Sequence, residues 1–362
     1  MTAKFRQRTQ LHLLTGFIAG FISAFVLLIY VYDVNHTSSC WPSTVPITTT
    51  RDELFLAQSR IESLAVGPRV LCMVLTCPEN LEREAKNVYA TWGQRCSKLI
   101  FASSENYEPL GVVQVVEADG GSYADLWNKT REGFRYVWQI YGQDYDWFLK
   151  ADDDTYVIME NLRYMLSYYD PDMPVYFGYK MTRYNVSYMS GGASYVLSRQ
   201  ALNRFMLQAY PSEIICPQPK KMGIEDFYMG ICLQNVGVHL IDSSQALEGD
   251  DKPKFMPLDL QDYLLSSNSS NLPDWLHLMS LTEVKTGLNC CSKHSIAFHY
   301  TSAERMYLYE FLLYHLQIFG HHLRTEPVIK QITYAELMER FPLENNSVIT
   351  NLQQMSEKPN NF

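Results

Sequence analysis

The chain has 362 residues (41.9 kDa), with 30 Lys and Arg against 39 Asp and Glu, and a net charge of −9. Its 47% hydrophobic and 13% aromatic content excludes a disordered or collagen-like chain and is enough for a sizeable core. The acidic balance argues against a nucleic-acid binder, which needs a basic face.

Charge is uneven along the chain. Residues 1–10 carry Lys4, Arg6 and Arg8 and no acid. Residues 11–32 (LHLLTGFIAGFISAFVLLIYVY) then contain no Asp, Glu, Lys or Arg. At ~1.5 Å per residue, about 20 helical residues cross a hydrocarbon core of roughly 30 Å. The run exceeds the about 7–15 apolar residues of a cleaved signal peptide. It ends in Tyr30 and Tyr32, residues suited to a membrane interface. The reading is an uncleaved signal anchor with a cytosolic tail over 1–10, which puts residues 33–362 in the lumen by the positive-inside rule. Sequons at Asn35, Asn128, Asn185, Asn268 and Asn345 agree with a secretory body. The eight cysteines (Cys40, Cys72, Cys77, Cys96, Cys216, Cys232, Cys290, Cys291) contain no CxxC pair of zinc-ribbon type, so they read as disulfide candidates. Spacing alone leaves their connectivity open.

Residues 33–50 are rich in Ser, Thr and Pro, the composition of an extended stem, and an amphipathic helical pattern follows over 51–66. After Gly67-Pro68 the elements alternate. Strands are predicted at 70–75 (VLCMVL), 98–102, 112–116, 146–150 and 175–178. Helices are predicted from Pro78 through Trp92, over 122–141 and over 160–168. This alternation defines an α/β sandwich with a mostly parallel sheet. One catalytic-sized domain is expected over 67–330, followed by a C-terminal tail over 331–362.

The sharpest chemical feature is FLKADDDTYV over 148–157, an apolar strand running into Asp152, Asp153 and Asp154. Ligands in open α/β sheets bind at the carboxyl ends of strands. Adjacent carboxylates repel, and a hard cation such as Mg²⁺ or Mn²⁺ resolves that repulsion. Such a cation can neutralise a diphosphate leaving group. A solvated acidic turn or a helix N-cap is the plainer reading.

A second acidic pair, Glu225-Asp226 in MGIEDFYMG, sits in a helical pattern. Neighbouring helical residues point about 100° apart, so at most one faces a given site. A general base and a helix-start carboxylate favoured by the macrodipole both fit. Gly191-Gly192 allows close backbone approach to a ligand, or makes a plain turn. His299, after a short apolar strand, completes a carboxylate metal site or is structural. GxSxG, P-loop and GxGxxG motifs are absent from the sequence, so hydrolase, NTPase and Rossmann oxidoreductase readings lack their anchors. An anchored lumenal α/β domain with an acidic metal site points to a nucleotide-sugar transferase.

Taken together, ATWGQRC, FLKADDDTYV, YFG followed by YMSGGASYVLS, GIEDFYMG and the stretch from Cys290-Cys291 to Phe298-His299-Tyr300 resemble the glycoprotein-N-acetylgalactosamine 3-beta-galactosyltransferase family, the core 1 enzymes. The likeness runs over about residues 69–322. It implies a GT-A fold, an inverting mechanism, UDP-galactose as donor, Mn²⁺ as cofactor and the Golgi membrane as location. The implied acceptor is O-linked α-GalNAc on glycoproteins. Carried over, Asp154 and His299 are metal ligands, and Asp152 lies near metal and ribose. Asp153, Lys129, Gly191 and Gly192 fall on the donor side, and Asp226 is the base with Glu225 beside it. The resemblance also implies Cys72–Cys96 and Cys216–Cys232 disulfides, and either a vicinal Cys290–Cys291 pair or other partners. Cys77 is left without an obvious partner, and Cys40 in the stem is available to link a homodimer.

Two stretches depart from the family. Trp275 is the only aromatic besides a His in 272–287, where the family is rich in Trp and Tyr. Ser243-Ser244 replaces the family's Ser-Arg. These departures bear on the acceptor. The family also includes a non-catalytic folding chaperone, against which the intact acidic triplet speaks.

Overall fold

Six consecutive apolar residues leave no face for water, and Val70–Leu75 forms strand β1 with every side chain buried. The computed structural model describes residues 67–117, 125–218, 224–316, 318 and 331–343. The predicted anchor and stem, and Cys40, lie outside the described residues. Among those residues, no helix is long and apolar enough to cross a membrane.

β2 (Lys98–Ser103) pairs in parallel with β1, and β3 (Val112–Gln114) pairs in parallel with β2. β4 (Trp147–Asp152) then pairs in parallel with the opposite side of β1. The next strands are β5 (Tyr156–Val157), β6 (Val175–Gly178), β7 (Lys180–Arg183), β8 (Val186–Met189) and β9 (Tyr195–Ser198). β10 (His239–Asp242), β11 (Phe255–Met256) and β12 (Ala297–Phe298) complete the set. The main sheet has the order β10-β6-β9-β4-β1-β2-β3. It is parallel except for β9, which runs antiparallel between β4 and β6.

Alternate residues of β1 enter different cores, as the period of a strand requires. Val70, Cys72 and Val74 join one cluster, with Val88, Trp92 and Leu162. Leu71, Met73 and Leu75 join the other, with Phe134, Leu202 and Leu233. Helices therefore cover both faces, giving the expected α/β/α sandwich with a mostly parallel sheet. The first cluster receives α1 (Lys86–Ala90) and, later in the chain, α3 (Met159–Leu166). The second receives α2 (Leu126–Tyr141) and α4 (Arg199–Arg204), and α5 (Glu225–Asn235) packs into both, Phe227 and Ile231 into the first and Met229, Cys232 and Leu233 into the second.

Most predicted elements hold with small shifts of boundary. The stretch from Pro78 to Arg95 is helical but broken into short 3₁₀, π and α pieces, interrupted at Thr91 (φ −116°, ψ −115°). Part of residues 331–343 is ordered. Helix Tyr334–Arg340 starts in a capping box from Thr333 and Glu336 and buries Leu337 against the core.

From β3, at one edge, the chain returns through α2 to the far side of β1. The carboxyl ends of β1 and β4 thus flank the point where strand order reverses. In open α/β sheets that crevice is where ligands bind. A small second sheet, β11-β12-β5, lies just beyond the end of β4.

Candidate active site

The acidic triplet sits at that reversal. Asp152 is the last residue of β4, and Asp153 and Asp154 lie in the turn leading to β5. β12 pairs antiparallel with β5, and the Thr301 amide donates to the Asp154 carbonyl at 2.8 Å. This pairing brings His299 back to the triplet from far along the chain. Its Nε2 lies 3.3 Å from Asp154 Oδ1. One ligand atom from each of Asp152, Asp154 and His299 falls within 4.8 Å of the others. Two carboxylates and an imidazole suit a hard or borderline divalent cation such as Mn²⁺. Burial tends to raise the Asp154 carboxyl, but the hydrogen bond and charge of His299 hold it below the ordinary value.

His299 is closely confined. Its ring stacks on Tyr300 with centroids 3.8 Å apart, and Tyr300 itself takes a left-handed φ of 53°. A non-glycine residue held there indicates a conformation imposed by its surroundings. Gly192 forms the other wall, where an added Cβ would overlap the imidazole.

Asp153 points elsewhere. It is buried and accepts a hydrogen bond from Thr76 Oγ1, at the end of β1, at 2.7 Å. Burial pushes its carboxyl up to about 7 despite that bond. Lys129, from α2, donates to the Thr76 carbonyl at 2.8 Å, and burial lowers its pKa. Asp153 and Lys129 therefore meet at Thr76, on the floor of the crevice between β1 and β4.

The second acidic pair splits as helical geometry requires. Glu225 is 3% exposed, accepts from Tyr195 Oη at 2.5 Å and lies 3.4 Å from Lys150 Nζ. Asp226 is half-buried. Its Oδ2 accepts from the Gly191 amide at 2.9 Å and its Oδ1 from the Phe227 amide at 2.8 Å. Burial raises the pKa of both carboxyls, with Lys150 opposing the rise at each. At Gly191 an added Cβ would come 2.5 Å from Glu225 Oε2 and 3.2 Å from Asp226 Cβ. The glycine pair is thus wedged between Asp226 and His299, where only a backbone fits.

Three contributors escape sequence reasoning: Lys150, Tyr195 and Thr76. A signal exists for Lys150, because a lysine inside a buried apolar strand must find partners. Thr76 and Tyr195 carry no such mark, since their roles follow from how the strands pair.

Disulfides join Cys72 to Cys96, Cys216 to Cys232 and Cys290 to Cys291. Cys77 is a free thiol.

Fold and site together define the class: a mixed α/β domain with a mostly parallel sheet and an Asp-Asp-His cluster fit to hold a divalent cation at the sheet's switch point. Comparison with known proteins narrows the class. The chain matches the Fringe-like family over residues 68–248. It is 37% identical over 267 residues to glycoprotein-N-acetylgalactosamine 3-beta-galactosyltransferase 1 of Xenopus laevis, covering 74% of this chain and 72% of that one. A mouse beta-1,3-glucosyltransferase is 31% identical over 101 residues, covering 27% of this chain and 19% of its own length. Human chondroitin sulfate glucuronyltransferase is 28% identical over 186 residues, covering 49% and 23%. The chain belongs to the glycoprotein-N-acetylgalactosamine 3-beta-galactosyltransferase family, and it is a glycosyltransferase.

Proposed function

We propose that the protein is an inverting, Mn²⁺-dependent transferase that moves galactose from UDP-galactose to the 3-hydroxyl of O-linked α-GalNAc on glycoproteins. The observation that carries this reading is the placement of a cation-competent Asp152–Asp154–His299 cluster beside Asp226, with the Gly191-Gly192 backbone between them. Asp152, Asp154 and His299 would hold Mn²⁺, which when bound supplies positive charge to a departing diphosphate. Lys129 and Asp153 would serve the donor side of the crevice.

In the proposed reaction Asp226 accepts the proton of the acceptor 3-hydroxyl. As that oxygen forms its bond to the anomeric carbon, the bond to the phosphate oxygen breaks, and UDP leaves with the electron pair. One displacement inverts the anomeric centre, and the chain needs no nucleophile of its own. Glu225, buried under Tyr195 and Lys150, would support Asp226.

The apolar run 11–32, the basic tip and the sequons support a single-pass type II protein of the Golgi membrane, with the domain lumenal. A homodimer linked through Cys40 belongs to the same reading.

One observation favours a second reading, the same chemistry on another acceptor. Trp275 is half-buried against the core, and Ser244 is buried with its amide bonded to Asp242, where the family carries aromatics and an arginine. A panel of UDP-sugars and glycopeptides offered to the full chain separates the two. UDP release with UDP-galactose and a GalNAc-peptide is expected, and release with another pair alone establishes the second reading. No release with any pair, alongside rescue of a partner enzyme's folding, would identify a non-catalytic relative.

A further inference from the structure

The proposed chemistry gives Lys150 no step, yet its side chain is fully buried at the centre of the site. Its Nζ lies 2.7 Å from Asp152 Oδ1, 3.2 Å from the Gly191 carbonyl and 3.4 Å from Glu225 Oε2. These partners come from three places: the end of β4, the loop before β9, and the first turn of α5. Gly191 is held at both ends of its backbone. Its carbonyl accepts from Lys150, and its amide donates to Asp226. A Cβ on Gly191 would come 3.4 Å from Nζ, so ammonium and loop are in direct contact. Tyr195 fixes the remaining oxygen of Glu225.

We infer that Lys150 is a positioning residue: its ammonium ties Asp152, on the metal side, to the Gly191 peptide that orients Asp226, and so sets the spacing between donor and base. A compact head with three rotatable donors suits three partners in different directions, which the planar fork of arginine does not. The inference rests on the reading of Asp152 and Asp226 given above.

The plainer role for Lys150 is to neutralise Glu225. Lys150→Met alone leaves buried carboxylates uncompensated and is expected to lose stability. The deciding comparison is therefore Lys150→Met/Glu225→Gln, which removes both charges, against Glu225→Gln alone, which shows what Glu225 itself contributes. With the full chain, Mn²⁺ binding in the presence of UDP is followed by the loss of the free-ion EPR signal, and transfer to a GalNAc-peptide is measured in parallel. The expected result is a folded double variant with Mn²⁺–UDP affinity about 10-fold and kcat roughly 100-fold below those of Glu225→Gln alone. Values in both arms equal to those of Glu225→Gln alone would overturn the inference. So would a double variant that fails to fold, because Lys150 would then be holding the core rather than the site. If the wild-type chain binds Mn²⁺–UDP but transfers to no acceptor, the functional reading fails while the binding arm still tests Lys150. A wild-type chain that binds no Mn²⁺–UDP overturns both.

Discussion

Glu225 and Asp226 are neighbours in sequence with different surroundings, and the site depends on that difference. One helical step turns Glu225 under Tyr195 and Lys150 and leaves Asp226 half-exposed beside Gly191. Burial raises the Asp226 carboxyl above its usual 3.8. A base must be ionised to accept a proton, so transfer should fall as pH drops through that raised value. The acid limb of kcat/KM is expected above pH 3.8, and a limb at or below that value would contradict the environment described. Asp226→Asn keeps the shape and can keep only one of the two backbone hydrogen bonds, because its amide nitrogen donates and does not accept, and it removes the proposed base. It should retain Mn²⁺–UDP binding and lose transfer by roughly 10²–10⁴-fold, which pairing a binding titration with a rate measurement would reveal. Gly192→Ala should do the opposite. Its Cβ displaces the His299 ring, so Mn²⁺-dependent donor binding is expected to weaken by about 10–100-fold in a chain whose circular dichroism is unchanged.

At the scale of elements, β1 and β4 are legible in the sequence because a buried parallel strand is a short continuous apolar run. The acids that follow such a run fall at its carboxyl end, so Asp152–Asp154 can be placed at a crevice. Residue types alone do not reveal that β9 runs antiparallel between β4 and β6, which brings Tyr195 over Glu225. Nor do they reveal how the short apolar strand before His299 pairs with its two neighbours to reach Asp154, because two-residue strands have no periodicity that fixes a partner. Only the resemblance to a family points to that pairing. The broken helix between Pro78 and Arg95 reads as continuous in sequence, since nothing in its composition marks the change at Thr91.

At the opposite end of β4, Asp146 accepts from the Arg69 amide and guanidinium and from Arg199. Burial alone would raise its carboxyl, but the bonds from Arg69 hold it below 3.8. A depressed folded-state pKa stabilises above the unfolded value, and that stability is lost as pH falls through the folded one. Asp146→Asn should therefore cost about 2 kcal/mol near neutral pH. The gap from wild type should narrow below pH 3.8 in urea melts, and a gap independent of pH would remove the ionic account.

For the whole molecule, the net charge of −9 says little about function, because only a few acids at one end of the sheet need a chemical explanation. The rest serve solubility and local ion pairs. The sequons at Asn128, Asn185 and Asn268 lie on exposed residues of the domain, as glycosylation in the proposed lumenal location would require. Three disulfides and one free thiol among the described residues fit the same compartment. In the proposed reaction the acceptor oxygen, deprotonated by a base on one side of the glycine pair, displaces UDP in one inverting step while the cation cluster lies on the other side. The most direct test is the proton NMR spectrum of the product formed by the full chain from UDP-galactose and a GalNAc-peptide, with Mn²⁺ and after its chelation. A β-linked galactose on the 3-position, formed only with the metal, is expected. An α-linked product, or the same product after chelation, would contradict it.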